Sequence, residues 1–454
     1  MQKDGSLEKL LRREIRRHGV PGASVAVLKG GRIVAAATAG VTNLDTQVPV
    51  TTDTVFQVGS ITKVFTTTLI MQLVDEGLVS LDTPIVEYLP EFRVADQATR
   101  RGVTARHLLT HTSGIDGDYF VDSGRGDDAI ERFVQMSALL PSLFPLGAKM
   151  SYCNAGFAVL GRVIEVLTRE SYDQAIRKRI FNPLGMTHAM TLPEDALKFR
   201  CAIGHVADPK RKNHLITAPI MHLSGLKAAG ATPAMSATDL LTFVAAHLAH
   251  GRTPDGKRLL SARSTTAMQR RQVRLQKHSP AAISGWGLGW SLHDFDGHKV
   301  IGHDGGAIGQ YSFLRVSPTR RTAVALLTNG GNVAGLYRAL FDALFCAAIH
   351  RREPELPPVE PTLTIDAERY VGDYEAMGQR ISIETHRGGL RASLTSRGAL
   401  GLDLDKLPIA FVDRQTAITP KFHPQFDRLP MLFSDIVDGR FSFVQFGLRQ
   451  HRRV

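Results

Sequence analysis

Ser60-Ile61-Thr62-Lys63 begins a stretch whose apolar residues recur at helical spacing, and Gly77 supplies the expected stop signal. Residues three apart on a helix share one face, so the Lys63 amine is expected beside the Ser60 hydroxyl. A serine needs a base within hydrogen-bond reach before it can act as a nucleophile, and a desolvated lysine can be that base. The tetrapeptide alone is more often an N-cap serine followed by a solvated lysine, so the catalytic interpretation depends on the rest of the chain.

The composition describes a globular protein of more than one domain. The chain has 454 residues, of which 43% are hydrophobic and 22% charged, which excludes a disordered chain. No run of about 18 apolar residues occurs, so no membrane partner is expected. The amino terminus has no secretory apolar core, which predicts a cytoplasmic location. Three scattered cysteines are too few for a disulfide framework or a zinc site.

The net charge of +12 permits an anionic partner. The basic clusters are short and separated, and a nucleic-acid binder would concentrate them and interleave aromatic residues. A nucleic-acid partner is therefore not expected, whereas an acidic protein partner or an anionic substrate stays open.

The order of the predicted elements indicates one α/β sheet with an inserted helical region. The region from about 60 to 250 is mainly helical, with strand signals on both sides of it. The predicted flanking elements are a helix at 7–19, strands at 23–29, 32–38, 298–302, 311–317 and 322–328, and a helix at about 334–350.

These elements predict two domains. A catalytic domain covers 1–350 and contains a helical subdomain over about 78–225. Four prolines in 351–361 indicate a stiff exposed linker. Short alternating segments over 362–454 predict a small antiparallel β domain, barrel-like in shape.

Tyr152-Cys153-Asn154 is the second chemical motif and lies just before a helix-like stretch. A phenol at this place can relay a proton between Lys63, Ser60 and a leaving group, and the Asn154 amide can orient Lys63 and a substrate carbonyl.

His303-Asp304-Gly305-Gly306 is the third motif, at the start of a predicted edge strand. The two glycines let the backbone approach an acyl group closely, and the Gly306 N–H can join that of Ser60 as an oxyanion hole. His303 can steady the tyrosine or bind a polar group of the substrate, and Asp304 and Gly305 are further candidates for substrate contact.

Together these motifs resemble those of the serine β-lactamase and penicillin-binding protein superfamily. The nearest branch holds class C β-lactamases, D-aminopeptidases, D-alanyl-D-alanine carboxypeptidases and related esterases. Order and spacing agree over residues 8–350, with matching blocks at Ser60-x-x-Lys63, Leu108–Gly114, Tyr152-x-Asn154, Asn182–Met186, Ala229–Leu240 and His303-x-Gly305.

The resemblance implies an α/β fold with an antiparallel sheet flanked by helices, and a mechanism of two-step acyl transfer. Ser60 attacks a carbonyl of a small molecule or peptide, Lys63 coupled to Tyr152 takes the proton, and water or an amine resolves the acyl-enzyme. It also implies that no metal or organic cofactor is needed.

One departure from the family pattern matters for the substrate. Penicillin-processing members commonly carry Lys-Thr-Gly where this chain has His303-Asp304-Gly305. That lysine attracts the carboxylate of a β-lactam or a peptide C-terminus, whereas histidine is less reliably charged at pH 7. The variant resembles esterase, aminopeptidase and thioesterase members, and β-lactamase activity is expected to be weak or absent.

The C-terminal β domain resembles the lipocalin-like appendage of some of these peptidases and of penicillin-binding-protein-type thioesterases, which release and cyclise nonribosomal peptides. That resemblance implies a peptidyl thioester substrate presented on an acidic carrier protein. Arg440 or Arg449 is a candidate to hold a substrate carboxylate, and Trp290 is a candidate for the cleft wall, with core packing as its alternative.

Three functions stay open at this stage. The first is a D-stereospecific peptidase or esterase, and the second is a cyclase that uses peptidyl thioesters. The third, a non-enzymatic binding protein on the same scaffold, is disfavoured because Ser60, Lys63 and Tyr152 are all present.

Overall fold

A computed structural model describes residues 4–211, 214–396, 403–420 and 428–454. Residues 1–3, 212–213, 397–402 and 421–427, which belong to the predicted catalytic and β domains, lie outside the described residues. Within the described ranges, no helix combines the length and the apolar character needed to cross a membrane.

The strands of the described residues form one large sheet, one closed barrel and two small sheets. In chain order they are β1 (Gly22–Lys29), β2 (Arg32–Gly40), β3 (Phe56–Gln57), β4 (Ala189–Met190), β5 (His205–Ala207), β6 (Leu215–Thr217), β7 (Ala234–Met235), β8 (Val273–Arg274), β9 (Ile283–Trp286), β10 (Ser291–Phe295), β11 (His298–Ala307), β12 (Gln310–Ser317), β13 (Thr322–Thr328), β14 (Gly372–Ala376), β15 (Gln379–His386), β16 (Gly389–Ser396), β17 (Leu404–Asp413), β18 (Thr416–Ile418), β19 (Pro430–Val437), β20 (Arg440–Phe446) and β21 (Arg449–Arg453).

The α-helices lie mainly between β2 and β8. In chain order they are α1 (Asp4–His18), α2 (Thr62–Asp75), α3 (Gln97–Gly102), α4 (Ala105–Leu109), α5 (Ala129–Met136), α6 (Asn154–Thr168), α7 (Tyr172–Ile176), α8 (Asn182–Leu184), α9 (Ala237–Leu248), α10 (Ala262–Gln269), α11 (Val333–Phe341) and α12 (Ala347–Ile349).

The large sheet is antiparallel, with the strand order β2-β1-β13-β12-β11-β10-β9-β8. The predicted hairpin is present, since Lys29 pairs with Arg32 across the Gly30-Gly31 turn. β1 then pairs with β13, which joins the two ends of the catalytic region in one sheet. The prediction of an antiparallel sheet flanked by helices is therefore confirmed.

Helices cover both faces of this sheet because its central strands are apolar on both sides. Along β1, Val25 and Val27 belong to the core cluster that includes α1 and α11. Ala26 and Leu28 belong to the opposite cluster, which includes α2 and α9. Alternate residues of a strand point to opposite faces, and full burial of a valine or leucine contributes about 1.5–3 kcal/mol. The sheet is thus the middle layer of three.

The helix that begins after Ser60 is buried on all sides rather than on one face. Every residue from Thr62 to Leu73 is buried. The hydroxyls of three consecutive threonines are hydrogen-bonded, since Thr66 Oγ1 donates to the Ala228 carbonyl at 2.7 Å, Thr67 Oγ1 to the Lys63 carbonyl at 2.7 Å and Thr68 Oγ1 to the Val64 carbonyl at 2.9 Å. A helix surrounded in this way holds its first turn in a fixed place.

The C-terminal strands β14–β21 close into an eight-stranded antiparallel barrel, because β14 also pairs with β21. Tyr374 and Phe433 are both fully buried in its interior. This closed barrel agrees with the predicted lipocalin-like β domain.

The barrel docks directly on the catalytic region through backbone groups. The Tyr152 N–H donates to the Leu448 carbonyl at 2.9 Å, and the Gln450 N–H donates to Ser151 Oγ at 3.0 Å. Close by, the Met377 N–H donates to Asp116 Oδ2 at 2.6 Å. The start of β21 therefore lies beside the segment that carries Tyr152.

Candidate active site

Ser60 lies in a short 3-10 turn, Gly59–Ile61, and α2 begins two residues later. Gly59 has φ +53°, and a Cβ on it would come within 2.5 Å of the Gly306 nitrogen. Only glycine fits this left-handed position so close to another backbone. The turn thereby brings the serine against the strand of the third motif.

Lys63 is fully buried, and its amine has three oxygen neighbours. Nζ lies 3.0 Å from Ser60 Oγ, 2.7 Å from Asn154 Oδ1 and 2.6 Å from the Ala229 carbonyl oxygen. A neutral amine has two N–H groups and one lone pair. The amide and carbonyl oxygens are acceptors that take both hydrogens, so the lone pair is directed at the Ser60 hydroxyl.

The electrostatic surroundings favour that neutral form. Burial lowers the pKa of Lys63 well below its usual value, and the Arg449 guanidinium lowers it further. Asp118 and Cys153 act in the opposite direction. The net result is an amine that can accept a proton.

Tyr152 is held between the catalytic region and the barrel. Its ring stacks on His111 at 4.2 Å between centroids, and Lys63 Nζ lies 4.8 Å from the ring centre. Among the described residues its hydroxyl has no hydrogen-bond partner. Burial raises the pKa of Tyr152, although Ser60 and Arg449 lower it in part. A phenol that keeps its proton next to Ser60 is available to donate to a bound ligand.

His303 projects into the same cleft from β11. Its Nδ1 lies 2.7 Å from the Asp304 carbonyl oxygen, so Nδ1 carries the proton and Nε2 is an acceptor. Nε2 has no partner among the described residues. Burial lowers the pKa of His303 to about 4, and Lys63 lowers it as well. The ring is neutral at pH 7.

Two of the other three residues predicted on this strand, Gly306 and Asp304, differ in their surroundings. Gly306 is exposed and lines the cleft with Ser60. Asp304 also lines the cleft, but it is bound from below by Arg315, whose Nη2 lies 3.1 Å from Asp304 Oδ2. The Arg315 side chain is only 1% exposed, whereas that of Asp304 is 38% exposed. The carboxylate that Asp304 presents to the cleft is therefore one half of an ion pair.

The prediction that Trp290 forms the cleft wall is wrong, and Trp286 takes that place. Trp290 is fully buried in the core beside His247, at 5.7 Å between centroids, whereas Trp286 lines the cleft. Trp286 pairs with Ser291 across the β9–β10 turn, so these two share a face of the sheet. Trp290 precedes Ser291 by one residue and therefore points to the opposite face.

Of the two arginines proposed for the end of the chain, Arg449 reaches the cleft. Its guanidinium lies 4.8 Å from the centre of the Tyr152 ring and its Nη1 donates to the Gly447 carbonyl at 2.8 Å. Its Nε donates to Asp118 Oδ2 at 2.5 Å. Arg440 instead pairs with Glu368 on the exposed surface of the barrel.

Apart from Trp290 and Arg440, the predicted residues line one open cleft of about 520 Å³ or, like Lys63, contact a residue that does. Its lining residues are Ser60, Phe120, Tyr152, Asn154, Met221, Leu226, Ala229, Gly230, Ala231, Ile283, Trp286, Ser291, His303, Asp304, Gly305, Gly306, Ala307, Tyr311, Phe313, Leu448 and Arg449. Most of these side chains are apolar or aromatic, and the few polar groups converge near Ser60. A volume of this size is typical of sites that bind a drug-sized ligand.

Two residues that sequence reasoning did not assign to the site touch its polar groups. Asp118 Oδ1 accepts from Asn154 Nδ2 at 2.6 Å. His111 Nδ1 accepts from the Cys153 N–H at 3.1 Å while its ring supports Tyr152. His111 lies beyond the helix, since α4 ends at Leu109 and His111 has φ +58°. In the described part of the chain, no three His, Cys, Asp or Glu side chains converge as metal ligands would.

Comparison with known proteins defines the class. Residues 7–348 match the family model described as Beta-lactamase. The chain therefore belongs to the beta-lactamase family of serine hydrolases, within the superfamily that also includes penicillin-binding proteins.

Three relatives cover much of the chain. Penicillin-binding protein 4 of Amycolatopsis lactamdurans is 44% identical over 368 residues, which are 80% of this chain and 94% of that protein. D-aminopeptidase of Brucella anthropi is 29% identical over 310 residues, 66% of this chain and 54% of that protein. The crystal structure of SurE superimposes with a TM-score of 0.76 at 28% identity and covers 99% of both chains; a second SurE structure, with D-Leu, gives 0.74 at 27% identity.

Proposed function

We propose that the protein is a serine acyltransferase that releases and cyclises a nonribosomal peptide from a peptidyl thioester. The proposal rests above all on the contact of 3.0 Å between the buried Lys63 amine and Ser60 Oγ at the floor of an open cleft. Burial lowers the pKa of Lys63 well below its usual value, and in this proposal its neutral form is the general base, with the lone pair directed at the Ser60 hydroxyl.

The acylation step follows from the placement of the groups. Ser60 Oγ attacks the thioester carbonyl while its proton passes to Lys63 Nζ, and the oxyanion is bound by the N–H groups of Ser60 and Gly306. When the C–S bond breaks, the proton moves through the Tyr152 hydroxyl to the leaving thiolate. The peptide is then an ester of Ser60, with Asn154 orienting its carbonyl.

The second step regenerates the enzyme. The peptide's own amine attacks the ester carbonyl and gives up a proton to the Tyr152–Lys63 pair. The C–O bond to Ser60 breaks and that proton returns to the serine oxygen. The products are a lactam and a free thiol, and water is neither consumed nor released.

The neutral His303 supports a substrate without a carboxylate next to the leaving group. Family members that process penicillin place a lysine at this position, where its charge attracts such a carboxylate. Burial lowers the pKa of His303 to about 4, so at this position the chain has a neutral imidazole, which can accept a hydrogen bond but carries no charge. Thioesters, esters and amides suit this environment better than β-lactams do.

Relatives named for D-amino acids support D-configuration at the acyl residue. One of them is a D-aminopeptidase, and one SurE structure is described with D-Leu. The SurE match extends over the barrel as well as the catalytic region. The net charge of +12 suits delivery of the substrate on an acidic carrier protein.

The second candidate is a D-stereospecific peptidase or esterase in which water resolves the acyl-enzyme. It is favoured by the D-aminopeptidase relative, at 29% identity. The two candidates share Ser60, Lys63 and Tyr152 and differ only in the acyl acceptor.

Products from a linear peptidyl thioester with a C-terminal D-residue distinguish the candidates. Mass spectrometry of a cyclase reaction shows loss of the thiol without gain of water, whereas a hydrolase adds the mass of water. The diastereomer with a C-terminal L-residue is the substrate control, and Ser60→Ala is the protein control. Thiol release that Ser60→Ala leaves unchanged would refute the proposed function.

A further inference from the structure

Asp118 joins the catalytic lysine network to the barrel through a single carboxylate. Oδ1 accepts from Asn154 Nδ2 at 2.6 Å, and Oδ2 accepts from Arg449 Nε at 2.5 Å. The Asp118 side chain is 17% exposed, so both hydrogen bonds are largely shielded from water. No motif in the sequence marks this residue.

The first of these bonds decides which atom Asn154 turns towards Lys63. A carboxylate that also receives a guanidinium N–H is an acceptor, so only the NH₂ group of Asn154 can face Asp118. The amide oxygen must then face Lys63 Nζ, from which it lies 2.7 Å. Reversed, the amide would place an N–H group against the lysine and compete for its lone pair.

The second bond fixes the guanidinium that lies over the tyrosine. Arg449 is the first residue of β21, and its Cζ lies 4.8 Å from the centre of the Tyr152 ring. Next to it, the Leu448 carbonyl accepts from the Tyr152 N–H at 2.9 Å. The barrel therefore contacts the site through Asp118 and through the tyrosine backbone.

We propose that Asp118 is a positioning residue, which holds Asn154 in the orientation that leaves the Lys63 lone pair free for Ser60 and couples that orientation to the docked barrel. This inference rests on the proposed function, because it assumes that Lys63 is the base.

The charges around Lys63 determine which way each substitution should shift its pKa. Asp118 raises the pKa of Lys63 and Arg449 lowers it. Six further titratable groups lie around this cluster: His111, Asp116, Tyr152, Cys153, His303 and His451. Burial lowers the pKa of each of the three histidines and raises those of Tyr152 and Cys153, so these five are uncharged near neutral pH, whereas burial raises the pKa of Asp116 to about 6. The carboxylate and the guanidinium thus act on the lysine in opposite directions.

Asp118→Asn keeps the shape of the side chain but presents one NH₂ group in place of an acceptor. Whichever way the new amide turns, its NH₂ group faces another donor, either Asn154 Nδ2 or Arg449 Nε. We therefore expect kcat for a chromogenic acyl ester to fall about ten- to a hundredfold, with little change in KM. Asp116→Asn is the matched control, since the Asp116 carboxylate accepts from the Met377 N–H of the barrel and, among the described residues, has no hydrogen bond to Asn154 or Arg449. Its kcat should stay within about twofold of the unmodified protein.

The pH profile separates positioning from a general loosening of the structure. Activity appears as pH rises through the pKa of Lys63, because only the neutral amine is a base. Asp118→Asn removes a group that raises this pKa, so the acidic limb of kcat/KM should move to lower pH. Arg449→Met removes a group that lowers it, so its limb should move to higher pH.

Equal kcat values for Asp118→Asn and Asp116→Asn, with the acidic limb unmoved, would overturn the inference. If Ser60→Ala is inactive in the same assay, the proposed function survives that result. If Ser60→Ala is active, the proposed function fails whatever Asp118 does.

Discussion

Gly305 packs directly against Val58. A Cβ on Gly305 would come within 1.9 Å of the Val58 carbonyl oxygen. The same carbonyl accepts from Ser312 Oγ at 2.7 Å, so strands β11 and β12 are both fixed to the residue that precedes the Ser60 turn. The strand that carries His303 and Gly306 can therefore lie this close to the nucleophile only because residue 305 has no side chain.

Gly305→Ala is expected to displace β11 from the Ser60 turn and lower kcat about a hundredfold, because reacting groups lose alignment with small shifts. The measurement is turnover of a chromogenic acyl ester, with circular dichroism to verify that the variant is folded. Gly389→Ala in the barrel is the control, since the nearest atom to its Cβ would be the His386 carbonyl oxygen at 3.7 Å. Normal turnover by folded Gly305→Ala would show that the close contact does not set the site.

Lys63→Arg tests the base directly. Arginine stays protonated at all accessible pH values, so it cannot accept the Ser60 proton. We expect kcat to fall by about 10²–10⁴ and the acidic limb of the pH profile to disappear. Turnover is measured from pH 5 to 10 and compared with the unmodified protein, in which activity rises through the lowered pKa of Lys63. A variant that keeps the same acidic limb would exclude Lys63 as its source.

Much of the site could be predicted because its groups sit at fixed spacings within local elements. Ser60 and Lys63 are one helical turn apart, and Asn154 is the first residue of α6, with Tyr152 two residues before it. Such spacings need no knowledge of the tertiary fold. Strands β1, β2 and β11–β13 could also be predicted, since they carry apolar residues in short runs between turn signals, whereas their antiparallel order followed from the family resemblance.

The errors arise where long-range packing decides the outcome. Trp286 and Trp290 are both tryptophans of one glycine-rich stretch, and only the register of β9 against β10 shows which of them faces the cleft. Asp118 lies on a loop with no regular spacing to Asn154 or Arg449, and its role depends on contacts between distant segments. A single sequence contains no signal for such contacts.

The three cysteines are expected to be inert towards thiol reagents in the folded protein. Burial raises the pKa of Cys153 to about 12, and those of Cys201 and Cys346 to about 11. Since the thiolate is the reactive form, little of it exists at pH 7.5. Ellman's reagent should therefore detect the three thiols promptly only after unfolding in urea. Rapid labelling of Cys153 in the folded protein would contradict the burial of this thiol.

Arg315→Met tests the support beneath the third motif. Arg315 is buried between Asp304 and the Tyr337 ring, which lies 5.2 Å from its guanidinium, and the Tyr337 hydroxyl donates to Glu353 at 2.6 Å. Removing one member of a buried ion pair usually costs about 3–5 kcal/mol. The Asp304 side chain is 38% exposed, so we expect a smaller loss here. Arg315→Met should lower the free energy of unfolding, measured in urea at pH 8, by about 2–3 kcal/mol.

The free energy of unfolding lost in Arg315→Met should also depend on pH, because Arg315 affects the pKa of Glu353. Burial raises the pKa of Glu353 and Arg315 lowers it, so without the arginine this pKa rises further. A group with a raised folded pKa stabilises most below its unfolded pKa, and that contribution is lost as pH rises. The deficit of Arg315→Met should therefore be smaller near pH 4 than at pH 8.

Arg320→Met is the control, at an exposed arginine just beyond β12. Its free energy of unfolding should stay within about 0.5 kcal/mol of that of the unmodified protein. An equal effect of both variants would show that the buried pair contributes nothing.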